Sequence, residues 1–274
     1  MSLKHLPLPR EHGAWAMFLI PLTLGAAVAG QWTSETTILT LAALGLFFAR
    51  APLALQLKAW SRGRGTDPRL VVWVAIFLAF GLGGGIWLVT VGERPGLFLL
   101  GLLGGASMLL YLAHVVRQME KSVAGELTGI AGLALSAPAA YYVATDRLDT
   151  TAVLVWVLCL LYFGGSVFYI KLKVRQQPRQ PAPKGVRDRL VAGLACLTYQ
   201  AVALNIAILV AALRWAPPLV PLAFIPVAAK TLTGVLIWQD RRRVNMLRLG
   251  LTEVAHSLLF GLLAWLAYRW PPGR

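Results

Sequence analysis

Apolar residues run along this chain in nine long blocks separated by short polar breaks: 13–30, 36–57, 70–91, 96–115, 123–145, 151–170, 190–213, 217–238 and 250–268. Each block has about the 17 to 25 residues an α-helix needs to cross a hydrocarbon core. Barrel strands would be shorter and would alternate apolar with polar positions. In lipid every backbone N–H and C=O must find a partner inside the protein, which leaves helices as the spanning element. The pattern predicts an all-α fold, a polytopic bundle of nine transmembrane helices forming one domain over residues 1–274. The eighth block has the weakest pattern, because it opens on "PPLVPLAFIP" and carries Lys230. The glycine clusters "GLGGGIW" from Gly81 and "GLLGGAS" from Gly101 predict close helix contacts.

Composition agrees. The chain is 58% hydrophobic and 14% charged, with a mean hydropathy of +0.67, so 274 residues leave no room for a separate soluble domain beyond the spans. The two cysteines, Cys159 and Cys196, both fall in apolar blocks and suggest neither a disulfide framework nor a metal knuckle. The opening "MSLKHLPLPREHG" lacks a small-residue cleavage site, so the first block is expected to stay as an anchor.

The net charge of +15 would suggest nucleic-acid binding in a soluble chain, but here all the bases except Arg50 and Lys230 lie between or beyond the blocks or at their ends. Alternate loops collect most of them: Lys4 and Arg10; Lys58, Arg62, Arg64 and Arg69; Arg117 and Lys121; Lys171 through Arg189; and Arg241, Arg242, Arg243 and Arg248. The other loops hold only Arg94, Arg147, Arg214, Arg269 and Arg274. The positive-inside rule then predicts a bacterial cytoplasmic-membrane protein with its N-terminus in the cytoplasm and its C-terminus outside. The basic, Pro- and Gln-containing stretch 171–189 reads as a flexible cytoplasmic connection against anionic headgroups.

Ionisable residues within or beside the blocks gather toward the predicted inner side. Candidate ligand-binding residues are Arg10, Glu11, His12, Arg50, Tyr111, His114, Arg117, Glu126, Lys171, Lys173, Lys230 and Glu253. Glu126, Glu253 and His256 are the candidates for catalysis. A buried charge is costly unless it meets a partner, a cavity or the interface, so the set predicts one polar cavity open to the cytoplasm. Glu11, Glu126 and Glu253 also suit plain helix-start acids, and Arg117 suits a snorkelling side chain. Arg50 and Lys230 lie too deep for either role. Tyr111, His114 and Arg117 follow one another at three-residue steps, as do Glu253 and His256, which could form a His–carboxylate pair. No HExxH, CxxCH, GxSxG or GxxxxGK[ST] motif occurs, and no soluble βαβ unit carries a dinucleotide fingerprint. No metal, cofactor or nucleic-acid partner is expected.

Three stretches, "REHGAWAMFLIPLTLG", "GELTGIAGLALSAPAAYYVA" and "RRRVNMLRLGLTEVAHSLLFGLLA", resemble the YwiC-like family of bacterial integral membrane proteins. More distantly, the nine-span layout resembles the UbiA-type intramembrane prenyltransferases, and Glu126 would match the acidic position after a glycine in their quinone-pathway members. Those enzymes hold Mg²⁺ on two Asp-rich motifs near the inner ends of spans two and six. Here the two regions read "ARAPLALQLKAW" and "YFGGSVFYIKLKVRQQ", with no Asp in either. Arg and Lys meet phosphate oxygens directly, without a metal. The expected function is binding or transport of an anionic or amphipathic, lipid-like molecule, with membrane lipids and an anionic or prenyl-type small molecule as partners. The alternative is a divergent UbiA-like enzyme acting on lipids or prenyl groups.

Overall fold

The computed structural model describes residues 12–238 and 245–270, and every regular element among them is helical. Among the described residues seven helices are long and apolar enough to cross a membrane. The protein is a polytopic helical membrane protein. The first and eighth apolar blocks form shorter helical segments, Gly13–Ala29 and Val220–Leu236. The chain divides after Ala152 into two compact units.

The first unit holds α1 (His12–Ala29), α2 (Ser34–Trp60), α3 (Pro68–Thr90), α4 (Gly96–Val116), α5 (Val123–Ala134) and α6 (Ser136–Thr145). Side chains fix the starts of several helices. Thr33 and Thr36 form a reciprocal capping box for α2. The Asp67 carboxylate accepts from the Arg69 N–H ahead of Pro68 in α3, and the Ser122 hydroxyl accepts from the Gly125 N–H in α5. The block expected as one helix over 123–145 breaks at Leu135. Pro138 has no N–H to donate to Ala134, so the helical ladder is interrupted there. The Ser136 hydroxyl lies at the break, 2.8 Å from the Leu133 carbonyl oxygen and 3.1 Å from that of Phe18. Residues Ser136–Ala144 are all buried, and α6 packs along α1 around Phe18, Leu22, Phe47 and Tyr142.

Backbones approach closely in this unit. A Cβ on Gly25 would overlap the Ala137 carbonyl oxygen. One on Gly45 would sit 2.9 Å from the Gly81 nitrogen, and one on Gly84 would sit 2.8 Å from the Ala42 Cβ. The first glycine cluster therefore seats α3 on α2. In the second cluster Gly101 and Gly105 face open space, and only Gly104 nears a neighbour, Leu135.

The second unit is built around α7 (Thr150–Lys171), which buries Val155, Leu158, Tyr162, Phe163, Val167 and Tyr169. After α7 come a wide π turn (Leu172–Gln176) and a 3-10 turn (Gln177–Arg179). Then follow α8 (Val186–Ala192), α9 (Leu194–Ala212), a 3-10 segment (Val220–Phe224), α10 (Ile225–Leu236) and α11 (Met246–Arg269). The seventh block, expected as one helix over 190–213, is interrupted at Gly193, where a Cβ would meet Val235 Cγ1 at 2.6 Å.

The stretch expected as a flexible connection is instead tied down. Lys173 Nζ donates to the Gly234 and Ile237 carbonyls at 2.7 and 3.2 Å, Gln177 Nε2 to the Gly234 carbonyl at 2.9 Å and Arg189 Nη1 to the Leu236 carbonyl at 2.8 Å. The last carbonyls of α10 have no intrahelical donors, and cations suit that end of a helix. Two basic residues of the stretch, Lys173 and Arg189, therefore fold onto α10.

The α2–α3 contact carries a direct prediction. Gly45→Ala pushes a methyl group into backbone atoms and is expected to lower stability by roughly 1–3 kcal/mol. Gly105→Ala enters open space and is expected to leave stability unchanged or raised by up to about 1 kcal/mol. Thermal unfolding of the detergent-solubilised pair measures the difference.

Candidate functional site

In the first unit the informative side chain is Arg50. It lies roughly two thirds of the way along α2, a 27-residue helix about 40 Å long against a hydrocarbon core of about 30 Å. Its guanidinium carbon stands 4.0 Å from the Tyr111 ring centroid, a cation–π contact between α2 and α4. Gly129 on α5 leaves room for it, since a Cβ there would lie 3.2 Å from Arg50 Nη2. Gly125, Gly129 and Gly132 recur at helical spacing along α5, and the Ser107 hydroxyl donates to the Thr128 carbonyl at 2.7 Å across the same contact. Among the described residues Arg50 forms no ion pair.

Glu120 and Glu126 have partners of their own. Lys58 Nζ meets Glu120 Oε1 at 2.6 Å. Gln56 Oε1 accepts from the Asp67 N–H at 3.0 Å, while its buried Nε2 has no partner among the described residues. Glu126 stands half-buried in the first turn of α5 and is also engaged. His114 Nδ1 is 2.7 Å from the Leu110 carbonyl of its own helix, and Arg117 is exposed at the end of α4. Of the Tyr111, His114 and Arg117 series, only Tyr111 reaches Arg50. Arg10 and Glu11 lie outside the described residues, as does the side chain of His12.

The second unit encloses a polar cluster of its own. Lys230 Nζ on α10 is 2.7 Å from Glu253 Oε1 on α11, with the two side chains only 8% and 9% exposed. Glu253 Oε2 accepts from the Ser166 hydroxyl of α7 at 2.9 Å. The Lys230 ammonium also sits 4.6 Å from the Tyr169 ring centroid, with Lys173 Nζ 6.0 Å from the same ring. Gly234 admits that ring, since a Cβ there would be 2.5 Å from Tyr169 Cε2. Lys173 serves the end of α10, and Lys171 at the end of α7 is half-buried and engaged.

Glu253 and His256 do not form the pair that their spacing suggests. Both Glu253 oxygens face other helices, and His256 Nδ1 is 2.8 Å from the Thr252 carbonyl of its own helix. Asn205 also bonds within its own helix, to the Ala201 carbonyl, on an exposed face of α9. Among the described residues no three His, Cys, Asp or Glu side chains are grouped closely enough to hold a metal ion.

Sequence reasoning missed Ser166, Tyr169 and Gln177. A signal was present: Tyr162, Ser166, Tyr169, Lys173 and Gln177 recur at steps of three or four, tracing one face of α7 and its extension.

Residues 8–141 match the family model described as YwiC-like protein. This stretch is similar to the YwiC-like family. Within the curated proteins the chain is 26% identical over 171 residues to the "Uncharacterized protein YwiC" of Bacillus subtilis (strain 168), covering 62% of this chain and 68% of that relative. No solved structure matches. The family match contains Arg50, Tyr111 and Gly129 and ends before Lys230 and Glu253.

Two predictions follow from these ion pairs. Breaking a buried pair leaves one charge uncompensated, so Lys230→Met is expected to cost roughly 3–5 kcal/mol, and Lys230→Met with Glu253→Met considerably less. Denaturation of the three proteins in one detergent compares them. For Glu120, burial raises the carboxyl, but the Lys58 hydrogen bond, a backbone hydrogen bond and the nearby lysine charges outweigh it and hold it below its ordinary value. Its stabilising effect is therefore complete above the usual carboxylate range and is lost as pH falls through the depressed folded value. The size is about 1 kcal/mol or less at this half-exposed site. The stability gap between wild type and Lys58→Met is expected at pH 7 and should close as acid protonates Glu120.

Proposed function

We propose that this integral membrane protein binds or transports an anionic or amphipathic, lipid-like molecule, with Arg50 meeting the anionic group. One observation carries the reading: a guanidinium well inside an apolar helix, held over an aromatic face, with no carboxylate paired to it among the described residues. A permanent cation at that depth is costly without a counter-charge. Its planar fork suits the oxygens of a phosphate or carboxylate. Tyr111 leaves the N–H groups at the guanidinium edge available, and Gly129 keeps the approach from α5 narrow but open. The bilayer placement belongs to the same proposal: nine crossings of a bacterial cytoplasmic membrane, N-terminus inside, with the ligand entering from the cytoplasmic side.

Thermal shifts of the full-length protein in detergent test this against phosphate, diphosphate and a prenyl diphosphate. Wild type is expected to be stabilised by at least one of them. Arg50→Ala should abolish that shift, and Arg50→Lys should retain only part of it, because an ammonium keeps the charge but not the fork. An equal shift in wild type and Arg50→Ala, or none in wild type, would remove Arg50 from the ligand's path.

A further inference from the structure

We propose that the exposed face of α9 is the surface through which two copies of this chain pair in the bilayer, with Asn205 at the centre of the contact. The proposal is independent of the anion reading for Arg50.

Helix α9 is long and apolar enough to cross a membrane, and Asn205 stands two residues from its middle. The Asn205 side chain is exposed. Its Nδ2 donates to the Ala201 carbonyl at 2.8 Å, and the amide makes no other hydrogen bond among the described residues. One N–H and the Oδ1 oxygen therefore face hydrocarbon, which can neither donate nor accept. Two turns earlier the same face carries a second group of this kind. The hydroxyls of Thr40, Thr90 and Thr128 each turn back to a carbonyl of their own helix at 2.8 Å. The exposed Thr198 hydroxyl has no partner among the described residues. A face meant only for lipid has no use for a carboxamide and a free hydroxyl.

Spacing makes a docking surface of the two. Leu194, Thr198, Ala201, Asn205, Ile208 and Ala212 recur at alternating steps of four and three, and all six are exposed. That recurrence is the seam of a two-stranded coil, in which a single Asn fixes register and the number of strands. The small Ala201 lies between the two polar side chains, on the floor of an open groove of about 420 Å³ that also takes in Val202, Ile206 and Leu209. Small residues let a second helix backbone come close.

The chemistry of the face commits it to a second copy. Acyl chains offer no hydrogen-bonding group. All copies cross the bilayer in the same sense, so a two-fold axis along the membrane normal brings two α9 helices together in parallel, each residue opposite its own counterpart. Asn205 then meets Asn205. A carboxamide carries both donors and an acceptor. Each free N–H can donate to the Oδ1 of the other copy, while the second N–H stays on the Ala201 carbonyl. The two Thr198 hydroxyls, each donor and acceptor, meet in the same way. The group at the centre is self-complementary, as a contact between identical faces requires.

Single-molecule photobleaching of the full-length protein in liposomes, over a range of protein-to-lipid ratios, tests the contact. Wild type is expected to pass from monomer to dimer as its density rises. Asn205→Leu should weaken pairing about 3- to 30-fold, the range for hydrogen bonds between membrane helices. Asn205→Gln should keep part of the pairing. Because Asn205 is exposed, monomeric Asn205→Leu in detergent should unfold at the wild-type temperature, which separates lost pairing from misfolding. Ala201→Cys should cross-link between copies on mild oxidation, and Leu258→Cys, exposed on α11, should not. Wild type monomeric at every density, Asn205→Leu pairing as tightly as wild type, or no cross-link at Ala201→Cys would each overturn the proposal. Arg50→Ala should pair like wild type, so failure of the Arg50 reading and failure of this one are told apart.

Discussion

Inside a bilayer no water is available to satisfy a backbone group or a charge, and both units are shaped by that shortage. The main chain answers with helices. Where a helix stops, side chains take over: Thr33, Asp67, Ser122 and Asn245 at starts, and Lys173, Gln177 and Arg189 at the end of α10. Charges within the spans have three different answers. Lys230 has a carboxylate, Lys173 has backbone carbonyls, and Arg50 has only an aromatic face among the described residues. That difference singles out Arg50 as the cation still able to meet a ligand.

The helices themselves were legible in the sequence, because the length of an apolar block is a direct physical requirement of crossing. The interruptions were not. Pro138 and Gly193 both sit in unbroken apolar runs, and membrane helices often tolerate either residue. What decides the break is tertiary support added to the local effect: Ser136 reaching the Phe18 carbonyl beside the N–H that Pro138 lacks, and Val235 lying against Gly193. The connection after α7 misled for a similar reason. Its Pro, Gln and basic residues match a solvated loop, yet several of those side chains are the donors that α10 lacks at its end.

For the sites, depth in a block was the useful signal and spacing alone was not. Arg50 and Lys230 stood out because neither end of its block is near. Spacing placed His256 beside Glu253 along α11, but it could not show that the carboxylate turns to α7 and α10. The aromatic and hydroxyl partners, Tyr169 and Ser166, carry no charge and so drew no notice within an apolar run. Their regular recurrence with Tyr162, Lys173 and Gln177 is visible once a common face is sought.

The two ends of α10 are held by different means, and that has a mechanical consequence. Its last turn is gripped by three polar side chains, whereas its start runs straight on from a 3-10 segment whose Val220 and Phe224 are fully buried. Hydrogen bonds fix register as packing alone does not, so the bonded end sets the height of Lys230 against the Tyr169 ring.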